Sequence, residues 1–246
     1  EIEQFTRSGL GSIGIPRDYG GPQVSFVTLA EVFAIISAAD PALGQIPQNQ
    51  FGILNLVLGS ATEAQKKQLF KSVLEGWRIG NAGPERGTKN TLELKARITA
   101  DGDGYVINGQ KFYSTGALFA HWVAVKALND EGKQVLAFVR RGTPGLRIVD
   151  DWSGFGQRTT ASGTILLNNV RVDAELVVDN WKINEKPNTQ GSVSQLIQAA
   201  IDAGIARGAI DDAIEFVKTR ARPWIDAKVE RASDDLYVIA DIGKLK

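Results

Sequence analysis

Four stretches of this chain concentrate residue types that could grip a planar polar ligand. The first is Gly80-Asn81-Ala82-Gly83-Pro84-Glu85-Arg86-Gly87-Thr88-Lys89, a strand end running into a loop. Its glycines lack the Cβ that keeps backbone away from a ligand, and the Asn81 amide both donates and accepts hydrogen bonds. The same stretch also reads as a plain connection between domains. The second, Asn108 to Ala117, ends a strand in Phe112 and Tyr113, two hydroxyls (Ser114 and Thr115) and Gly116. Such an end can bond the edge of a ring while an aromatic packs on it, although Phe112 and Tyr113 also suit a barrel core and rim. The third, Asp150 to Thr164, carries Trp152 among glycines, hydroxyls and Arg158. It offers an aromatic wall, or else it is a surface loop anchored by one Trp. In the fourth, Thr219-Arg220-Ala221-Arg222-Pro223-Trp224, a guanidinium could hold a phosphate with two hydrogen bonds. Arginines there also simply offset a helix dipole.

Composition removes several other chemistries. With 28 Lys+Arg against 28 Asp+Glu and no basic run, the phosphate attraction behind nucleic-acid binding has no source. There is no Cys and one His, which excludes disulfides, thiolate metal sites and a Cys nucleophile, and leaves few ways to build a His-rich metal site, so no metal is expected. His121 itself, beside Trp122 at a strand start, reads as structural. No apolar run reaches a membrane span and the amino terminus lacks a leader pattern, so a soluble protein without a membrane partner is expected. Nucleophile elbow, Walker loop and dinucleotide fingerprint are all missing. Met is also absent from the 246 residues, which suggests omitted positions and spacings short by one or more. Both ends fall inside amphipathic stretches and read as truncated.

The elements that must position these stretches follow from periodicity. Residues 1–77 read as helical, with apolar steps of three and four over Phe26 to Ile36 and Phe51 to Leu58. Ser25 is a candidate cap, and Thr62 with Gln65 makes a capping-box pattern. From Arg78 to about Val178 short alternating runs predict strands at Glu93 to Thr99, Tyr105 to Asn108, Trp122 to Leu128, Val135 to Arg140, Leu146 to Val149 and Thr164 to Val172, closing as a small barrel or sandwich. From Ser192 to Thr219 the pattern returns to a helix whose Ala203, Gly204, Ala206, Gly208 and Ala209 permit close approach of another helix, before Pro223 stops it. Helices, then strands, then helices argue for an α+β multidomain chain.

In order and spacing the four stretches resemble the acyl-CoA dehydrogenase superfamily over essentially the whole chain. Ile15-Pro16 with Tyr19-Gly20-Gly21 resembles that family's amino-terminal loop, and Gly109-Gln110-Lys111 with Tyr113-Ser114-Thr115 its flavin-contacting strand. The fold implied is a helical domain at 1–77, a β-barrel at 78–180 and the start of a carboxy-terminal helical bundle at 181–246, with flavin between domains. Two departures matter. Where dehydrogenases of the family read Thr-Glu-Pro and then Gly-Ser, this chain has its Gly-Asn-Ala loop, and Ala221-Arg222-Pro223-Trp224 replaces a motif of Arg, Gln, Phe and Gly. With Ser114 to Ala117, Asp150-Asp151-Trp152 and Thr160-Ala161-Ser162-Gly163, these features resemble the branch of flavin-dependent monooxygenases that oxidise dibenzothiophene and other sulfur compounds.

That resemblance implies a reduced-FMN monooxygenase, supplied by a separate flavin reductase, whose hydroperoxyflavin passes one oxygen atom of O2 to a small apolar sulfur-containing or heteroaromatic substrate. Asn81 and Thr115 would bond the flavin or its peroxide, with Tyr113 beside them at the reacting centre. Ser114, Trp152 and Ser162 would complete the ring site, and Arg222, or failing it Arg220, would hold the phosphate. Phe119, Trp122 and Trp152 would form a substrate pocket that keeps water out. A cytoplasmic homotetramer assembled through the bundle is implied as well. The competing readings are an FAD-dependent acyl-CoA dehydrogenase, which needs a Glu base beside the thioester, and a flavin-free binding protein that keeps the fold.

Overall fold

A computed structural model of the chain describes residues 1–90 and 93–246. After the first, its amino-terminal helices start where side chains can satisfy free N–H groups. After α1 (Ile2–Arg7), α2 (Phe26–Ala39) is capped by Ser25, which accepts from Thr28 N at 3.1 Å. Next, α3 (Pro41–Ser60) is capped by Asp40, and α4 (Glu63–Leu74) by Thr62 and Gln65 in a complete capping box. Gln65 does more than cap. Its amide also donates to Val177 O at 2.8 Å, tying α4 to the sheet.

The strands are β1 (Ile79–Ala82), β2 (Arg97–Asp101), β3 (Gly104–Lys111), β4 (Trp122–Leu128), β5 (Gln134–Arg140), β6 (Leu146–Val149), β7 (Thr164–Asp173) and β8 (Val177–Val178). Their order is β6-β7-β3-β2-β4-β5-β8, with β1 parallel to β4. Contact between β2 and β4 is one bridge, Arg97 with Leu128. The sheet therefore folds over on itself there, and inward residues of both parts, among them Ile98, Ile107, Val123, Val125, Val139, Ile165 and Val170, share one core. The expected barrel is thus a wrapped sheet whose end strands, β6 and β8, do not pair with each other. The expected strand from Glu93 starts only at Arg97, because the N–H groups of Lys95 and Ala96 donate to the Glu85 carboxylate instead of a neighbouring strand.

The outer face of β4 and β5 is not wet. Trp122, Ala124, Leu136 and Phe138 pack against Leu54 and Val57 of α3 and Leu69 and Phe70 of α4, so the helical layer and the sheet share a second core. On its other side α3 meets α2 and the long α5 (Gln190–Thr219) through Phe33, Phe51, Ile197 and Ile201. Two glycines set the α2–α5 separation. A Cβ on Gly204 would lie 2.2 Å from Ala34 O, and one on Gly208 2.4 Å from Ala38 O, so the helices cross backbone to backbone. Past Pro223 the chain ends in α6 (Leu236–Leu245), which buries none of its residues. Among the described residues no helix is long and apolar enough to cross a membrane, and no group of three metal-ligating side chains forms.

Candidate functional site

Three loops meet beside β1 and the end of β3, and backbone hydrogen bonds lock them together. Asn81 N donates to Thr115 O at 3.1 Å and Phe112 N to Pro84 O at 2.9 Å, joining the first loop to the second. Ser114 N donates to Gly163 O at 3.1 Å and Gly116 N to Thr160 O at 3.2 Å, joining the second to the third. The third loop is pinned at both ends. Asp151 accepts from Thr164 N and Oγ1, each at 2.7 Å, and Trp152 Nε1 donates to Gln157 O at 3.0 Å. The Thr164 hydroxyl, chiefly, holds the Asp151 carboxyl below the ordinary range against the opposing effect of burial. Tyr113, Gln157 and Ala161 have φ of 52°, 46° and 48°. Left-handed backbone at a non-glycine residue costs on the order of 1 kcal/mol each and persists only where the surroundings fix it, which these cross-loop bonds do.

Beneath the first loop lies a buried ion pair. Lys111 Nζ is 2.6 Å from Glu85 Oε1, with side chains 0% and 4% exposed, and it also donates to Gly83 O at 3.2 Å. Burial would raise Glu85, but Lys111 and the N–H groups of Ala96 and Lys95 outweigh it and hold the carboxyl below the ordinary range. Burial pulls Lys111 down despite Glu85. The pair fixes the loop carrying Asn81 to the strand that leads to Tyr113.

The loops so joined bring hydroxyl and amide groups together with aromatic faces. Thr115 Oγ1, Ser162 Oγ and Thr160 Oγ1 form a chain of hydroxyls 2.8 Å apart. Ser114 Oγ is buried with no hydrogen-bond partner, and the Asn81 side chain makes no hydrogen bond either. Tyr113, half exposed, meets Trp152 edge to face at 6.3 Å, and the Arg86 guanidinium lies 4.4 Å above Phe112 and 5.3 Å above Tyr113. Asn81, Tyr113, Ser114, Thr115, Trp152 and Ser162 therefore come together. Phe119 lies next to them, lining a cavity of about 390 Å³ with Trp77, Arg78, His121 and Arg140, and a cleft of about 200 Å³ with Leu43 and Ile46 of α3.

Three expected residues are elsewhere. Trp122 is not a pocket wall: strand alternation turns it, with Ala124, onto the helical layer, where it packs 5.4 Å from Trp77. Arg220 and Arg222 are exposed beyond the end of the 30-residue α5, and their side chains bond nothing in the chain. His121 is held as expected, its Nδ1 accepting from Arg78 N at 3.0 Å and its ring stacked on Trp77. Sequence reasoning missed the Glu85–Lys111 pair, Arg86, and Gln50, whose buried amide donates to Gly11 O at 2.7 Å and accepts from Ile79 N at 2.8 Å. One signal was available, since Lys111 lies an even number of residues from the inward Ile107.

Residues 1–77 match the model of the acyl-CoA dehydrogenase amino-terminal domain, and residues 82–170 that of the acyl-CoA dehydrogenase middle domain. The chain belongs to the acyl-CoA dehydrogenase family. Within that family it is similar to dibenzothiophene monooxygenase of Rhodococcus erythropolis, at 32% identity over 99% of this chain and 62% of the relative. It is 26% identical to a probable FMNH2-dependent monooxygenase, SfnC, of Pseudomonas putida, over 99% of this chain and 62% of the relative. The crystal structure of TdsC from Paenibacillus sp. A11-2 with FMN and indole superposes with a TM-score of 0.90 at 30% identity, covering 99% of this chain and 64% of that one. This acyl-CoA dehydrogenase family chain thus spans 62% of the length of the curated relatives just named.

Proposed function

We propose that the chain is the greater part of a reduced-FMN-dependent monooxygenase that adds one oxygen atom to a small apolar sulfur-containing or heteroaromatic substrate. The observation that carries this reading is Ser114 Oγ, buried and unpartnered at the centre of the joined loops. Leaving a buried hydroxyl unsatisfied costs about 1–3 kcal/mol, and a ring with polar edges seated between Asn81, Ser114 and Thr115 removes that cost. A flavin fits the residues present: hydroxyl and amide groups for its heteroatoms, Tyr113 and Trp152 for its faces. Similarity to a protein crystallised with FMN and indole, and to a probable FMNH2-dependent monooxygenase, favours FMN and this reaction class over FAD and acyl-CoA dehydrogenation.

Bound there, reduced FMN would supply the two-electron activation of dioxygen. The chain's own residues bind and shield. Asn81, Ser114, Thr115 and Ser162 hydrogen-bond the ring, Tyr113 and Trp152 wall it, and Phe119 faces the substrate side. Arg222, or Arg220, is the proposed phosphate ligand; both stand exposed beyond α5, apart from these loops, and neither has a carboxylate partner. A separate reductase delivers the flavin. We also infer a cytoplasmic homotetramer divided at 1–77, 78–180 and 181–246.

The test is to give full-length protein FMN or FAD with a partner reductase in air, and to assay oxygen transfer to dibenzothiophene and indole. Oxygenated product with FMN is the expected result. Tight FAD binding, no oxygenation and bleaching of flavin absorbance by an acyl-CoA would replace the reading with a dehydrogenase.

A further inference from the structure

The cavity of about 390 Å³ lined by Trp77, Arg78, Phe119, His121, Arg140 and Arg141 lies where β1 and β4 begin and β5 ends, and no carboxylate lines it. Its positive charges are not equally engaged. The Arg78 guanidinium donates to Phe119 O at 2.8 Å and to Thr6 Oγ1 at 2.9 Å, and it sits 3.1 Å from Glu3. Arg140 and Arg141 have no carboxylate partner and no side-chain hydrogen bond among the described residues, although the Arg140 guanidinium rests 5.2 Å from the centre of the Trp77 ring. His121 adds a directed donor. Because its Nδ1 accepts from Arg78 N at 3.0 Å, the neutral ring carries its proton on Nε2, and that N–H has no acceptor among the described residues. Burial first, then Arg78, with Arg141 and Arg140 adding to it against Glu3, keep His121 below the ordinary histidine range. The frame is rigid: His121 N donates to Arg78 O at 2.9 Å, Arg141 N donates to His121 O at 3.0 Å, and the His121 ring stacks on Trp77.

We propose that this cavity is an anion site, separate from the flavin loops, that takes the phosphate group of a free phosphate or of an organic phosphate monoester. It does not depend on the flavin reading. Two uncompensated guanidiniums match a phosphate monoester, which carries close to two negative charges at neutral pH, whereas a carboxylate would leave one of them over. Each guanidinium fork suits two phosphate oxygens, and His121 Nε2–H supplies a further donor. Arg140 already lies on the Trp77 ring, so less of its freedom is lost when an anion binds. The cavity is larger than a bare oxyanion needs, and Trp77 and Phe119 give it apolar walls for the group that carries the phosphate.

The experiment is calorimetric titration of full-length protein with inorganic phosphate, adenosine 5′-monophosphate and adenosine. Both phosphates are expected to bind and adenosine is not. Tighter binding of the nucleotide than of inorganic phosphate would assign the apolar walls to the carrier group, and equal binding would make the free ion sufficient. Adenosine bound as well as its monophosphate, or neither phosphate bound, would overturn the proposal. Arg140→Gln and Arg141→Gln each remove one charge and should weaken the nucleotide about fivefold, the upper range for a partly exposed ion pair; either variant carries the test if the other does not fold. Unchanged affinity in both would place the nucleotide elsewhere and overturn the proposal. Lys133→Gln makes the same change of charge at the other end of the seven-residue β5, about 20 Å away, where screening removes its influence. An effect there equal to that of the arginine variants would mean that net charge alone attracts the anion, and the site would fall. FMN affinity, measured in parallel, should be the same in wild type and in both arginine variants. Joint loss of FMN and nucleotide binding would merge the cavity with the flavin site and overturn a separate one, whereas wild-type protein that binds the nucleotide but no FMN would sink the flavin reading alone.

Discussion

Ser114 needs a partner that the chain does not provide, and that makes it a direct probe of the site. Removing its buried, unpaired hydroxyl relieves a desolvation cost in the empty protein and removes a hydrogen bond from the loaded one. Ser114→Ala should therefore melt at the same temperature as wild type or higher, yet bind FMN about fivefold to tenfold more weakly; parallel losses of melting temperature and affinity would count against a ligand contact. His121 calls for a different measurement. Burial, then the adjacent Arg78, hold its pKa below the ordinary histidine value, so the folded protein keeps it neutral while the unfolded chain takes up a proton near pH 6.5. The stability this gives is complete above about pH 6.5 and is lost as pH falls below it. His121→Asn can still accept from Arg78 N without titrating, so its melting temperature should fall less than that of wild type between neutral and mildly acid pH. The clustering of Asn81, Tyr113, Ser114, Thr115, Trp152 and Ser162 was legible through the family resemblance of their loops, since glycines and hydroxyls at strand ends fit a plain connection equally well. Trp122 was misread because its direction depends on which face of β4 the helices cover, a tertiary fact. Glu85 and Lys111 carry no local mark of pairing, being 26 residues apart.

At the level of elements, periodicity located β4 and β6 with their observed limits and the Thr62–Gln65 start of α4. It recognised only the apolar end of α3, because Pro47 inside the helix and the glutamines around it mask the pattern. Burial of those residues comes from packing on three sides, which no local rule encodes. The small residues of α5 were informative, and the two glycines among the five candidates, Gly204 and Gly208, meet the backbone of α2. The buried ion pair between the first loop and β3 left only an indirect trace in the sequence, the even spacing of Lys111 from the inward Ile107. Lys111→Met alone leaves the Glu85 carboxylate buried and unpaired, and should cost about 3–5 kcal/mol in denaturant unfolding. Adding Glu85→Leu should restore much of that loss, since an apolar pair of similar volume can replace a buried ion pair. A double variant as unstable as the single one would show that the two N–H groups of Lys95 and Ala96, orphaned without Glu85, matter more than the charge balance.

For the molecule as a whole, apolar surface is buried in one part and exposed in another. Helices α2 to α4 and both faces of β4 and β5 share buried cores, so this part should unfold as a unit. The end of α5 and the segment to α6 behave otherwise. Phe216, Trp224, Ile225, Leu236, Tyr237 and Ile239 are between 52% and 87% exposed, and a groove of about 310 Å³ between α5 and α6 is lined by Ile214, Val217, Ile239 and Ile242. Contiguous apolar surface of this kind marks a face that another surface covers. If the homotetramer proposed above is built on it, Ile239→Asp, which places a charge on the face without touching the flavin loops, should reduce the mass of full-length protein in light scattering. FMN affinity per chain should change less than twofold to threefold, the scatter expected for distant independent sites. Unchanged mass with unchanged binding would remove this face from the assembly, and a wild-type monomer would remove the tetramer. Loss of both mass and FMN binding would instead mean that a neighbouring subunit completes the proposed flavin site, which would also reconcile the phosphate role proposed for Arg220 and Arg222 with their exposed place at the far end of α5.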